Sequence, residues 1–234
     1  MDALADLTAE PSRAALFLDI DGVLAPIVDR PEAARVPDGT RVELRRLASR
    51  YALVACVTGR PSATARALVG VDELVYAGEH GLELEPEATA WAARIAAFAE
   101  SAGLDAELKA FSVSFHYRTA ADPEAARLAL VDVARRAAAE GFRTRWGRMV
   151  LEVLPPIDAT KGTAVRHLLA ERGLTRALYA GDDTTDLDGF AALDGLEVAV
   201  RVAVASPEGP PELAAGADLV VASTGELLDL LRSL

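Results

Sequence analysis

The chain has 234 residues, 51% of them hydrophobic and 26% charged, with a formal charge of −12. That length allows one large domain or two small ones around a sizeable core, and the acidic balance argues against a nucleic-acid partner, because a phosphate backbone demands a basic face. A single cysteine, Cys56, excludes a disulfide within the chain and fits a reducing compartment.

No apolar run reaches the roughly 18 residues of a membrane span. Residues 1–10 lack the basic start and apolar centre of a signal peptide. A cytoplasmic protein is expected, with no obligate protein partner. Arginine outnumbers lysine 22 to two, the lysines being Lys109 and Lys161. Codon composition accounts for such a bias, but a retained lysine also suits a position that needs a compact ammonium rather than a planar fork.

Residues 14–18, AALFL, form a continuous apolar run closed by polar residues and glycine, which predicts a short buried strand. A helical pattern follows over 39–50, then a second buried strand over 51–57 that ends at Thr58-Gly59-Arg60. Residues 61–70 read as a helix stopping at Gly70, and ELVYAG as a third strand. This alternation implies a parallel sheet covered by helices.

The rhythm changes after residue 82. Residues 89–103 and 122–141 are helical, while FSVSFHYR (111–118) alternates, with Phe111, Val113, Phe115 and Tyr117 on one side and Ser112, Ser114, His116 and Arg118 on the other. That predicts a strand in a sheet with one face covered and one open. Residues 142–155 hold one or two more strands, so 83–157 reads as an inserted α+β unit with antiparallel strands. Strand and helix alternate again from Lys161 to the C-terminus. The expected architecture is α/β, a doubly wound parallel-sheet core over 1–82 and 158–234 interrupted by an α+β cap domain over 83–157. Trp91, Trp146 and Cys56 are expected to be packing residues, and His167, mid-helix, to be exposed or satisfied.

Four chemically loaded stretches fall at the carboxyl ends of strands or the start of a helix, where open α/β sheets place their sites. They are Asp19-Ile20-Asp21-Gly22, Thr58-Gly59-Arg60, Lys161, and Gly181-Asp182-Asp183 through Asp186. Each has an ordinary explanation: a solvated strand end, a helix entry, acidic capping. Lys161 is unusual where it stands, since the helix dipole disfavours a cation at a helix start. Together the carboxylates call for a hard cation such as Mg2+, which takes oxygen ligands. An aspartate can attack a phosphoryl group, and a second carboxyl two residues on can move the proton.

As a set, these stretches resemble the signatures of the haloacid-dehalogenase-like (HAD-like) phosphatases. The resemblance implies Asp19 as nucleophile, Asp21 as general acid/base, Thr58 as phosphoryl ligand and Lys161 as the clamp on nucleophile and phosphate. It implies Mg2+ held by Asp19, by Asp21 through its backbone carbonyl and by Asp182, with Asp183 and Asp186 positioning the metal shell. Val23 stands where threonine is often found.

Further stretches are similar to the trehalose-6-phosphate phosphatases within that superfamily: GEHGLEL (78–84), ELKAFSVSFHYR (107–118), RMVLEVLPPIDATKG (148–162) and GDDTTDLDGF (181–190). This implies a sugar-phosphate substrate touched by Gly59, Arg60, His80, Glu107, Lys109, His116, Arg118, Arg148 and Glu152. Leu154 stands where related sequences often carry arginine. Hydrolysis of another sugar phosphate (sucrose phosphate or a glycosyl-phosphoglycerate), a sugar phosphomutase and a non-catalytic sugar-phosphate sensor are the competing readings.

Overall fold

The computed structural model describes residues 3–28, 30–147, 149–206 and 209–234. In chain order the helices and strands are α1 (Ala3–Ala9), β1 (Ala14–Leu18), α2 (Asp38–Arg50), β2 (Leu53–Val57), α3 (Ser62–Val69) and β3 (Val75–Ala77), then α4 (Ala92–Ala102), β4 (Glu107–Leu108), β5 (Val113–His116), α5 (Pro123–Ala139), β6 (Arg143–Gly147) and β7 (Val150–Leu154), and finally α6 (Lys161–Arg172), β8 (Arg176–Gly181), α7 (Asp186–Ala191), β9 (Val198–Val204), α8 (Pro211–Gly216), β10 (Leu219–Val221) and α9 (Thr224–Ser233). The chain divides into two units, residues 1–81 with 159–234, and residues 82–158. Among the described residues no helix is long and apolar enough to cross a membrane.

The first unit is built on a six-stranded parallel sheet in the order β10-β9-β8-β1-β2-β3. The chain runs outward from β1 to one edge and, after the second unit, resumes beside β1 at β8. The point where the direction of travel reverses therefore lies between β1 and β8, the position at which doubly wound sheets open a crevice beyond their carboxyl ends. Strands buried on both faces read as continuous apolar runs, and β1, β2 and β8 are buried at every residue. Leu16 and Leu18 face a core shared with Leu44 and Leu47 of α2 and Leu227 and Leu231 of α9. On the other face Tyr179 packs edge-on against Phe190 of α7, ring centroids 5.9 Å apart.

In the second unit an antiparallel sheet, β4-β5-β7-β6, carries α4 and α5 on one face. Ile95, Phe98, Leu130 and Val133 of the helices meet Val113, Phe115, Leu151 and Val153 of the strands. α5 starts where Asp122 accepts from the backbone N–H groups of Glu124 and Ala125, with Pro123 in the first turn. Trp91 packs edge-on against Phe142. Trp146, expected to pack, remains 41% exposed, because it sits on β6 at the sheet edge with Tyr117 as its aromatic neighbour.

The opposite face of this sheet is not open as the alternation suggests. Ser112 and Ser114 are each 1% exposed, and Ser114 Oγ lies 3.4 Å from the Glu152 carboxylate, which also meets Lys109.

Candidate active site

The carboxyl ends of β1 and β8 bring the acidic stretches together. Asp19 directly follows β1, its backbone N–H donating to Ala180 O of β8 at 3.0 Å. Oxygen atoms of Asp19, Asp182 and Asp186 lie within 4.8 Å of one another, all three residues being buried. Gly22, at φ 84°, makes the turn after Asp21, and a Cβ there would fall 2.2 Å from Asp182 Oδ2. Only glycine meets both demands, a left-handed backbone and a carboxylate at its back.

Lys161 explains its own odd position. It opens α6 above a reciprocal cap between Thr160 and Thr163, and it is 2% exposed. Its ammonium lies 2.8 Å from Asp19 Oδ2, 2.7 Å from Asp186 Oδ1 and 4.0 Å from Asp183 Oδ1. Burial alone would lower the Lys161 pKa, but Asp186, Asp19, Tyr179 and Asp183 outweigh it and hold the ammonium well above its usual range. The dipole penalty of a cation at a helix start is small beside these contacts.

Asp186 accepts four hydrogen bonds. Oδ1 takes Lys161 Nζ and the Tyr179 hydroxyl, both at 2.7 Å, and Oδ2 takes the backbone N–H groups of Asp182 and Asp183 at 2.9 and 3.0 Å. An ionised carboxylate offers about four lone-pair sites, so Asp186 organises the loop rather than turning toward a ligand. Asp183 Oδ1 accepts from Thr185 N at 2.7 Å and Thr185 Oγ1 at 2.6 Å. Burial would raise Asp183, but Lys161 and the two Thr185 bonds hold it at about 2. Burial pushes Asp19 up and Lys161 pulls it down. Asp186, Asp182 and Asp183 add to the push, and the net direction is up.

Three carboxylates thus face one ammonium, with Asp182 beside Asp19, a balance that suits an added cation. The donors nearest the switch point, on Asp19 and Asp182, are hard oxygens and fit a hard divalent ion.

At the end of β2, Thr58 is 1% exposed and its Oγ1 accepts from Arg60 N at 3.2 Å. A Cβ on Gly59 would fall 2.5 Å from His80 Nε2, so the glycine lets the imidazole reach the loop. His80 sits in a run of three left-handed residues, Glu79 (φ 48°), His80 (φ 56°) and Gly81 (φ 98°). Backbone bonds fix that corner: Glu79 N to Arg60 O at 3.0 Å and His80 N to Thr58 O at 2.8 Å. The Asp21 carboxylate is not part of the acidic group around Lys161; it pairs with the Arg60 guanidinium. Arg60, expected at the substrate, is therefore engaged with Asp21.

In the second unit Lys109 and Glu152 pair at 3.3 Å with side chains 8% and 9% exposed, and His116 Nε2 lies 2.8 Å from Glu107 Oε2. Arg118 is half-buried just beyond β5. Arg148 lies outside the described residues. Two residues escaped the sequence reading. Tyr179 looks like one more apolar residue of β8, and Arg145, which contacts Glu152, becomes visible only once the β6–β7 register is known.

The trehalose-phosphatase family model matches residues 17–213. A trehalose-phosphate phosphatase of Mycobacterium ulcerans is 37% identical over 81% of this chain and 54% of its own length. An uncharacterised glycosyl hydrolase of Mycobacterium tuberculosis is 40% identical over 81% of this chain but only 16% of its own length. The chain thus spans about half, or less, of these curated relatives. Among solved structures, a trehalose-6-phosphate phosphatase related protein superposes with a TM-score of 0.75 at 25% identity, covering 94% of this chain and 96% of the other. A haloacid dehalogenase-like hydrolase from Bacteroides thetaiotaomicron shares the fold at TM-score 0.68 and 13% identity, covering 94% of this chain and 98% of the other. The match across both halves of the parallel sheet, together with the acidic strand ends it includes, makes this chain a member of the trehalose-phosphatase family.

Proposed function

We propose that the chain hydrolyses trehalose 6-phosphate to trehalose and phosphate, with Mg2+ as cofactor and a phosphoryl group carried transiently on Asp19. The observation that carries this reading is the meeting of Asp19, Asp182 and Lys161 at the β1–β8 switch point of a chain in this family. Asp19 and Asp182, with the Asp21 backbone carbonyl, would hold the metal. When bound, it draws negative charge off the phosphoryl oxygens.

Asp19 attacks phosphorus and the bond to the sugar oxygen breaks, while Asp21 gives that oxygen a proton. Asp21 then takes a proton from water, the water oxygen attacks phosphorus, and the Asp19 carboxylate is released. Lys161 holds Asp19 in place and neutralises the arriving phosphate. Thr58 and the backbone of Gly59 bind phosphoryl oxygens. Asp183 and Asp186 brace the loop that carries Asp182.

The second unit selects the sugar, through Glu107, Lys109, His116, Arg118, Arg148 and Glu152, with His80 at the corner that leads into it. A site built to hydrogen-bond hydroxyls rejects analogues that lack them. A cytoplasmic setting belongs to the same reading.

The test is phosphate release from trehalose 6-phosphate, sucrose phosphate and a glycosyl-phosphoglycerate. Trehalose 6-phosphate is expected to be turned over fastest, and comparable or better turnover of the others overturns the substrate. An isomeric sugar phosphate without free phosphate identifies a mutase instead. Asp19→Asn is expected to lower kcat by about 10⁴-fold or more while the melting transition persists; retained activity excludes the covalent route.

A further inference from the structure

The hydroxyl of Tyr179 takes no part in the phosphoryl chemistry proposed for Asp19, Asp21 and Lys161, yet the fold sets it against that cluster. Tyr179 lies on β8, in register with Phe17 of β1 and Arg201 of β9, and is 0% exposed. Its ring is fitted closely to α7: a Cβ on Gly189 would fall 2.3 Å from both Cε2 and Cζ of the phenol. α7 thus carries a residue that helix propensity disfavours, at the place where the phenol needs room. Gly181, which closes β8, does the same for the acceptor, since a Cβ there would fall 2.3 Å from Asp186 Cγ. A phenylalanine would satisfy the edge-on packing against Phe190 equally well. What the tyrosine adds is one hydrogen bond.

That bond runs from the Tyr179 hydroxyl to Asp186 Oδ1 at 2.7 Å, and the same oxygen takes Lys161 Nζ at 2.7 Å. The ammonium in turn lies 2.8 Å from Asp19 Oδ2. Phenol, carboxylate, ammonium and nucleophile are therefore linked in series. Burial, and after it Asp186, keeps the phenol protonated, so it is the donor in this series. A carboxylate oxygen has two lone pairs; at Oδ1 one meets the phenol and the other the ammonium. Without the phenol, the charge on Oδ1 would act on Lys161 alone, and in a site closed to water that pull is strengthened rather than screened.

We infer that Tyr179 is a positioning residue for phosphoryl transfer: by occupying Asp186 Oδ1, its hydroxyl keeps the Lys161 ammonium shared with Asp19 instead of drawn onto Asp186. The inference rests on the reading of Asp19 as nucleophile. Tyr179 acts through Asp186 and Lys161, so its effect appears in the phosphoryl step and is the same whatever alcohol leaves.

The experiment compares Tyr179→Phe with the native full chain in two ways. The chain has two lysines, Lys109 and Lys161, so a lysine 15N label reports the Lys161 ammonium directly by NMR, with Lys109→Arg to assign it. Tyr179→Phe is expected to move the Lys161 signal and leave that of Lys109 in place. It is also expected to lower kcat by about tenfold on both trehalose 6-phosphate and p-nitrophenyl phosphate, with a smaller change in KM. Phe190→Leu loosens the same ring packing without touching the hydroxyl; it is expected to lower the melting temperature and to leave kcat within about threefold.

An unmoved Lys161 signal or an unchanged kcat in Tyr179→Phe overturns the inference. So does a Phe190→Leu variant that loses as much kcat as Tyr179→Phe, because ring packing would then be the cause. Where Tyr179→Phe fails to fold, native chain labelled with 3-fluorotyrosine, whose phenol is a stronger donor, decides: a Lys161 signal that stays in place overturns the link. A native chain that releases phosphate from neither substrate removes the functional reading, and the inference with it, whatever the Lys161 signal shows.

Discussion

Arg60 grips both carboxylate oxygens of Asp21, Nε donating to Oδ2 at 2.6 Å and Nη2 to Oδ1 at 2.7 Å. The same Nη2 donates to Pro31 O at 3.1 Å. The group proposed to move the proton is thus clasped by a cation from the loop after β2. A bidentate pair of this kind fixes direction as well as charge. Arg60→Lys keeps the charge but loses the fork; kcat on trehalose 6-phosphate is expected to fall about tenfold, more than KM changes. Steady-state kinetics that leave kcat untouched would show that the clasp is incidental.

Lys161 is the counterion of a cluster closed to solvent. Lys161→Met removes one partner and leaves Asp19 and Asp186 as buried carboxylates. Breaking a buried pair in this way costs about 3–5 kcal/mol. Urea unfolding in the absence of metal is expected to show a loss of that order, and a loss below about 1 kcal/mol would mean that the cluster relaxes without its lysine.

Gly22 has no room for a side chain: a Cβ there meets the Asp182 carboxylate. Gly22→Ala is expected to push that carboxylate away from Asp19 and to raise the Mg2+ concentration for half-maximal activity by about tenfold or more. Metal at 100 times its dissociation constant should stabilise the native chain by about 2.7 kcal/mol, and the variant by less at the same concentration. Equal thermal shifts with Mg2+ in the two proteins would place the metal elsewhere.

Cys56 and Tyr179 are both 0% exposed, and burial pushes both pKa values up. In the unfolded chain a cysteine releases its proton near pH 8.5 and a tyrosine near pH 10, while the folded chain keeps both neutral. The unfolded state then binds fewer protons, and stability falls as pH rises, by about 1.4 kcal/mol per pH unit for each group. Thermal melting is expected to weaken progressively above pH 8.5 and more steeply above pH 10. Cys56→Ala should flatten the first part of that slope; an unchanged onset counts against it.

β1 was readable because its five buried residues form an unbroken apolar run with a polar boundary on each side. β2 begins two residues later than its apolar run, since Tyr51 caps α2 and Ala52 is turned toward Pro11 and Ala14. α1 escaped notice because one buried leucine, Leu7, ties it down. β4, two residues long, and α7 and α8, six each, are too short to show a period. Residue identity and position along the chain made Asp19, Lys161 and Asp182 legible as one group. The pairings of Asp21 with Arg60 and of Glu152 with Arg145 were not, because they depend on loop paths and strand register that spacing does not encode.

The corner at Glu79 and His80 carries a conformational cost. Each of these residues sits where an L side chain crowds its own carbonyl, at about 1–2 kcal/mol. Glycine at position 80 would relieve that crowding against about 0.5–1 kcal/mol of extra freedom in the unfolded chain. On backbone conformation alone, glycine is the less strained choice at this position. Under the proposed function, the corner is a place where thermal endurance and turnover pull in opposite directions.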